Sequence, residues 1–485
     1  MTPISLERIV AALKHAGLLA EVTGTLPEQV ADLTDDSRQV AANSLVLAVR
    51  GSARDGHEFL PQAEAAGAVA AIVEDVGRTT LPSIVVREGR RAAAIAAAAA
   101  FDDPAKQLRL AAVTGTNGKT TVVSILRHLL DKPGARSASI GTLGILLGSE
   151  GVPVAGSASL TTPGPVELQR ALRALVDRGV KTVAMELSSH SLDQRRAETL
   201  VFEAGVFTNL TRDHLDYHET MEAYLLAKAR LVAQLGSRGA AIVNLDDSVW
   251  ERLPPANTVI TYGRDPDAMV RAESVLFHPR GSEWLLVADN QRHALQLPLI
   301  GDFNISNALG AAGAAWHLGM TLSAIAARLR TVPQVAGRLE VIHERPTVLR
   351  DYAHTPDALE RALAAVRPFA RKKLFVIFGA GGDRDRGKRP LMGAIAEQGA
   401  DFAIVTSDNP RTEEPVSILE DIERGMRLTN HALIEDRRDA IKHALELAST
   451  EDVVLLAGKG HETYQIRGTT SHPFDEKAIV AELMA

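Results

Sequence analysis

The feature that most constrains this chain is TGTNGKTT at residues 114–121. It lies between an apolar run, Leu108–Val113, and the helix-like stretch TVVSILRHLL. A strand that feeds a glycine-bearing turn, which in turn opens a helix, aims backbone N–H groups and the positive end of a helix dipole at one spot. That arrangement suits a phosphate. Lys119 adds a point charge for phosphate oxygens, and Thr120 offers a hydroxyl to Mg²⁺. Val113 stands where the usual pattern has its first glycine, and Gly115 takes over in the loop. The order strand, loop, GKT, helix requires an α/β fold and points to a nucleoside triphosphate.

With 485 residues the chain exceeds one ordinary core, and two to four domains are expected. Apolar residues make up 46% and charged residues 23%, a globular balance. A net charge of −7 argues against a nucleic-acid binder held by bulk charge. Cysteine is absent, which excludes disulfides, thiolate metal sites and a cysteine nucleophile, and fits a cytoplasmic protein. The N-terminal MTPISLERIVAALKHAG reads as an amphipathic helix, not a signal peptide. The Ala-rich stretch Arg91–Phe101 is too short to span a bilayer and suits a helix buried on a sheet. No membrane insertion is expected.

Three α/β units follow from the apolar runs. Residues 1–105 alternate short runs (Ser44–Val49, Ala68–Val73, Ser83–Val86) with helical segments, ending at Asp102-Asp103-Pro104. Residues 106–336 carry the phosphate loop and strand-like runs at Lys181–Leu187, Ala204–Thr208 and Ala240–Asn244. Intervening helical stretches there imply a largely parallel sheet. A β-rich stretch from Thr258 to Leu299 and a helix at Asn304–Leu318 complete this unit. Residues 337–485 hold strands at Thr347–Asp351, Lys373–Phe378, Asp401–Thr406 and Asp452–Ala457. Each ends in a polar or glycine-rich segment: DYAHTPD, GAGGDRDRGKRP, SDNPRTEEP and GKGHETYQ. Ligands bind at the carboxyl ends of strands in open parallel sheets, so these loops form a substrate rim.

Across all three units the chain resembles the Mur ligases, ATP-dependent amide-forming enzymes of peptidoglycan precursor assembly. The resemblance rests on TGTNGKTT, MELSSH (185–190), TNLTRDHLDYH (208–218), NISNALGAA (304–312), GRLE (337–340), DYAHTPD (351–357), GGDRDRGKRP (381–390), DNPR (408–411) and GKGHE (458–462). It implies a small N-terminal α/β domain for a UDP-sugar, a central P-loop ATPase domain and a C-terminal Rossmann-like domain. It also implies a cytoplasmic monomer that adds meso-2,6-diaminopimelate to UDP-N-acetylmuramoyl-L-alanyl-D-glutamate. ATP would first phosphorylate the acceptor carboxylate, because a bare carboxylate is a poor acyl donor. A neutral amine would then displace the phosphate. Both steps gather negative charge on oxygen, so the site needs Mg²⁺ and fixed cations more than a covalent nucleophile.

The resemblance also implies residue roles. Gly115, Thr116, Asn117, Gly118, Lys119, Thr120 and Thr121 cradle the phosphates of ATP. Asn304, Arg338, Asp351 and His354 surround the rest of the nucleotide. Thr120, Glu186, His214 and Lys228 hold metal, with Lys228 carbamylated by CO₂ so that a cation becomes an anion. Carbamylation needs a neutral amine, which desolvation favours. Asp35, Ser37, Ser52, Ala53 and Arg54 match contacts to the uridine diphosphate. Thr161, Thr162, Ser188, Gln194 and Arg196 match contacts to the muramoyl peptide, although Leu160 precedes the threonine pair where a polar residue is expected.

For diaminopimelate the matching positions are Arg384, Asp408, Asn409, Pro410, Arg411, Gly458 and Glu462. Its second carboxylate calls for a planar, permanently charged fork, which Arg supplies and Lys does not. DNPR marks the diaminopimelate-adding type within the family. The lysine-adding and D-alanyl-D-alanine-adding ligases and folylpolyglutamate synthase are the near alternatives. A non-enzymatic P-loop switch fits poorly with four polar strand-end loops. A dinucleotide oxidoreductase is weaker still, since GAGGDRDRG is too charged for the usual fingerprint.

Overall fold

The computed structural model describes residues 3–51, 54–154, 160–278 and 280–485. Three sheets organise it. The first has five strands in the order Leu19–Thr23, Ser83–Val86, Ala68–Val73, Ser44–Leu47 and Asp32–Thr34, parallel except for the first pair. The apolar face of helix Leu6–His15, with Ile9 and Leu13 fully buried, packs beside the Ala-rich helix Gly89–Ala100 on one side of this sheet. Alanines at the contact let helix and sheet approach closely.

The second sheet has eleven strands. Its centre is parallel and runs Arg136–Gly141, Val180–Glu186, Arg109–Thr114, Phe202–Phe207, Leu235–Asn244, Thr258–Gly263, Val270–His278. The central strands are nearly all apolar because helices cover both faces. Helices Lys119–Leu130, Phe303–His317 and Leu322–Leu329 bury one face, and Pro165–Asp177 with Met221–Ala229 buries the other. Antiparallel strands extend both edges: Gly144–Leu147 with Val152–Pro153 at one end, Gly281–Ala288 with Gln291–Leu297 at the other. The expected largely parallel sheet therefore forms, with antiparallel margins.

The third sheet runs Glu340–Glu344, Thr347–Asp351, Val453–Ala457, Leu374–Phe378, Phe402–Val405, His431–Leu433, parallel after the first pair. Helices Pro356–Val366, Lys388–Gly399 and Pro415–Glu423 cover one face, and Arg437–Leu447 with Glu476–Leu483 covers the other. Because these four long strands are parallel, DYAHTPD, GAGGDRDRGKRP, SDNPR and GKGHE emerge at one edge. A hairpin, Tyr464–Arg467 with Thr470–Pro473, leans on that edge through the Arg411 N–H, which donates to Ile466 O at 3.1 Å.

Candidate active site

The phosphate loop sits where strand Arg109–Thr114 meets helix Lys119–Leu130. Gly118 has φ +86°, and a Cβ there would run into Oδ1 of Asn307, so only glycine fits. The Asn117 N–H donates to Oδ1 of Asn209 (2.9 Å), and the Thr116 N–H donates to Asn209 O (2.7 Å). Asn209, from TNLTRDH, thus holds the loop open. Lys119 Nζ donates to its own loop, at Gly115 O (3.0 Å) and Thr116 O (2.8 Å). Desolvation lowers its pKa, opposed by the charges of Glu186 and Asp213. Thr121 is buried in the first helical turn.

Glu186 ends the neighbouring strand and is 1% exposed. It accepts from the Thr142 N–H (2.8 Å) and hydroxyl (3.1 Å), and no cation pairs with it among the described residues. Lys228 is equally buried. Its Nζ donates to Gly115 O at 2.7 Å and stands 4.4 Å from the Tyr224 ring centroid. No carboxylate pairs with it among the described residues; desolvation, reinforced by Lys119, drives its pKa well below the usual lysine value. His214 has φ +53° and Nε2 3.5 Å from Asp213 Oδ2, and burial pushes its pKa down to about 4, so its ring is neutral at pH 7. His190, which the sequence did not single out, stacks edge-on against it at 4.8 Å.

No cluster of three or more His, Cys, Asp or Glu side chains at metal-binding spacing occurs among the described residues. The Thr120 hydroxyl and Glu186 are hard oxygen donors of the kind Mg²⁺ takes, and Lys228 would offer an oxygen ligand only as a carbamate. Among the described residues, a buried carboxylate with no paired cation and a buried amine with no paired carboxylate, both near Lys119, fit a divalent cation with a carbamylated lysine.

The third sheet closes over this loop. Arg338 donates from Nη2 to Thr120 Oγ1 (3.1 Å) and lies 4.8 Å from the Tyr352 ring, and Asn117 Nδ2 donates to Asp357 Oδ2 (3.2 Å). Asp351 accepts from the Leu339 N–H at 2.7 Å, and burial lifts its pKa to about 6. His354 Nδ1 is 2.7 Å from Tyr352 O, and Lys388 donates to His354 O at 2.8 Å. Asn304 donates to Ile300 O and accepts from Asn307, so it braces the helix start. Of the residues expected around the nucleotide, Arg338 reaches the phosphate loop directly and Asn304 reaches it through Asn307, which faces Gly118.

A cavity of about 300 Å³ lies between the first and second sheets. Asp35, Ser37 and Arg50 line it from one side, Gln194, Arg196 and Leu160 from the other. Arg54 is exposed on the adjoining loop, where its carbonyl accepts from the Gly51 N–H, and Ser52 and Ala53 lie outside the described residues. Arg196 is clamped by Gln194 Oε1 (2.7 Å) and Thr162 O (2.8 Å). Thr162 is fully buried, its hydroxyl spent on Glu186 O, while Thr161 faces Thr142 at 3.2 Å. Ser188 caps the helix Ser189–Asp193 by accepting from the Ser191 N–H. Thr162 and Ser188 therefore have framework duties that sequence reading did not reveal.

At the rim of the third sheet, Arg411 (φ +54°) donates to Gly382 O at 2.8 Å, and Arg384 borders the same glycine pair. Asn409 donates to Glu462 Oε2 at 3.0 Å, and Gly382 packs against Pro410 O. Gly458 has φ +114°, and a Cβ there would crowd Asp408 Oδ2. Arg411 and Arg384 thus border the Gly381-Gly382 turn, while Asp408 and Glu462 are carried by the DNPR and GKGHE loops of the same rim.

Three family models match in sequence order: "Mur ligase family, catalytic domain" at residues 30–116, "Mur ligase middle domain" at 113–315, and "Mur ligase, glutamate ligase domain" at 337–460. A UDP-N-acetylmuramoyl-L-alanyl-D-glutamate–2,6-diaminopimelate ligase of Geobacillus kaustophilus is 44% identical, covering 94% of this chain and 95% of that protein. Its counterpart from Geobacter metallireducens is 42% identical, covering 95% of both. A solved structure of a ligase of the same name aligns over 100% of this chain and 99% of its own, with a TM-score of 0.69 and 33% identity. MurF ligase from Thermotoga maritima, solved in complex with ADP, shares the fold at 18% identity, with a TM-score of 0.66 over 89% of this chain and 94% of its own.

Proposed function

The chain belongs to the Mur ligase family, and we propose that within it the protein joins meso-2,6-diaminopimelate to UDP-N-acetylmuramoyl-L-alanyl-D-glutamate at the expense of ATP. It does so as a cytoplasmic monomer. Work divides among the three sheets: residues 1–105 take the UDP-sugar, 106–336 the ATP, and 337–485 the incoming amino acid.

The acceptor's glutamyl carboxylate attacks the terminal phosphorus, releasing ADP and forming an acyl phosphate. The amine of diaminopimelate then attacks the acyl carbon, and phosphate leaves. Mg²⁺ supplies charge neutralisation at the phosphoryl oxygens, and Thr120, Glu186, His214 and carbamylated Lys228 would hold it. Lys119 swings from its loop carbonyls to the phosphates, and the loop N–H groups hold them in place. Arg338 adds positive charge from the opposite wall. Asn304, Asp351 and His354 orient the nucleotide. Asp35, Ser37, Ser52, Ala53 and Arg54 take the uridine diphosphate, and Thr161, Thr162, Ser188, Gln194 and Arg196 bring the peptide carboxylate to the reacting phosphorus. Closure of the third unit keeps water from the acyl phosphate.

The observation that supports the amino-acid assignment is the DNPR loop itself, where Arg411 is held on Gly382 O while Asp408 and Asn409 meet Glu462 around Lys459. One end of that set reads a carboxylate and the other an ammonium, the two charges on the distal carbon of diaminopimelate. Product analysis tests this reading. With the acceptor carboxylate labelled by ¹⁸O, the expected result is a UDP-linked tripeptide containing diaminopimelate and one ¹⁸O in the released phosphate. Unlabelled phosphate contradicts the acyl-phosphate route, and no tripeptide contradicts the function.

A further inference from the structure

Lys459 follows strand Val453–Ala457 as the second residue of GKGHE, and it is 0% exposed. A buried ammonium is costly unless its surroundings supply acceptors and negative charge. Here they do. Its Nζ lies 3.2 Å from Asn409 Oδ1, 3.4 Å from Glu462 Oε2 and 3.6 Å from Asp408 Oδ1, with the Tyr464 ring 5.9 Å away. Asn409 in turn donates to the same Glu462 oxygen, and its Oδ1 accepts from the Ile466 N–H at 2.9 Å. Three of the residues assigned above to diaminopimelate thus converge on one cation that does not reach solvent.

Counting charge shows what this cation does. Asp408 and Glu462 bring two negative charges, and Lys459 cancels one. The distal carbon of the substrate carries one ammonium, and its carboxylate belongs to Arg411. We infer that Lys459 is a positioning residue for the amino-acid substrate. It holds Asp408, Asn409 and Glu462 in register and trims the acid pair to the single negative charge that one substrate ammonium neutralises. This inference rests on the diaminopimelate-adding reading.

The test is a charge-compensation cycle measured by steady-state kinetics of the full chain. Lys459→Met should raise KM for diaminopimelate at least tenfold while KM for ATP and for the UDP-muramoyl dipeptide stays within twofold. Asp408→Asn alone should also raise it, because the pocket then carries no net charge. The double variant Asp408→Asn/Lys459→Met restores the single negative charge and should bind diaminopimelate more tightly than either single variant. If Lys459→Met does not fold, the comparison of the double variant with Asp408→Asn decides. An unchanged KM in Lys459→Met, an equal rise in all three KM values, or a double variant no better than Asp408→Asn overturns the inference. Failure of the wild-type chain to use diaminopimelate at all would instead strike the functional reading.

Discussion

Lys228 shows how much one buried side chain can report. Burial and the nearby charge of Lys119 shift this lysine, which has no acid partner among the described residues, toward the neutral amine, the form that reacts with CO₂. Equilibration with ¹³C-bicarbonate should give a carbamate ¹³C-NMR signal that Lys228→Ala lacks. The same variant should lose activity by at least 10²-fold, roughly the loss seen when one electrostatic contact to a reacting centre is deleted, and short added carboxylates should restore part of it. Asp351 makes a pH prediction. Its folded pKa of about 6 exceeds the ordinary 3.8, so the folded chain holds a proton that the unfolded chain releases. Its contribution to stability is present below pH 4 and lost as pH rises through 6. Asp351→Asn should therefore gain on wild type, by up to about 3 kcal/mol, between pH 4 and pH 7 in thermal unfolding. No such gain would contradict the burial argument. Arg411→Ala should cost diaminopimelate use about 2–4 kcal/mol in kcat/KM, since a bound carboxylate would lose its fork.

At the scale of elements, the rim loops depend on a residue the sequence hid. Arg389, fully buried in helix Lys388–Gly399, binds Glu413 through two nitrogens (2.8 and 2.9 Å) and Asp421 at 2.9 Å. Glu413 accepts from the Asp383 N–H, and Asp383 accepts from the Thr412 hydroxyl, so the loops bearing Arg384 and Arg411 are laced together. Arg389→Ala takes the guanidinium from Glu413, while Asp421 keeps Arg386 and Arg424, and should destabilise the fold by about 3 kcal/mol in denaturant unfolding. A loss under 1 kcal/mol would show the network to be idle. In the sequence, Arg389 was one of four basic residues in a charged string, and nothing local marked it as the buried one. Apolar strands were easier. Ala68–Val73, Ser83–Val86 and Thr347–Asp351 were read with their observed ends, because buried parallel strands are unbroken apolar runs bounded by turns. The strand Arg136–Gly141, reading RSASIG, and the polar hairpin Tyr464–Pro473 were not read, since neither carries such a run. Site residues were legible where a motif held them together. Thr142, Asn209 and Lys459 became visible only once the fold brought distant loops within hydrogen-bond reach.

For the whole molecule, the question is what holds the third unit against the phosphate loop. Among the described residues, two side-chain bonds join the third unit to the phosphate loop, Arg338 to Thr120 and Asn117 to Asp357. Both involve residues proposed above to hold ATP, so under that proposal nucleotide binding and closure would be coupled. Asp357→Ala should raise KM for ATP several-fold with little change in thermal stability, because the residue is half-exposed and its other bond is a surface pair with Arg361. An unchanged KM would uncouple the junction from the nucleotide. Beyond the junction, the account stands on one claim: ATP is consumed to make an inert carboxylate reactive toward a diamino diacid. Initial rates of ADP formation with ATP, Mg²⁺ and the UDP-muramoyl dipeptide measure it, comparing diaminopimelate, lysine, D-alanyl-D-alanine and no amine. The account predicts sustained ADP release with diaminopimelate and little with the others. Equal release with lysine, or release that ignores the amine, would contradict it.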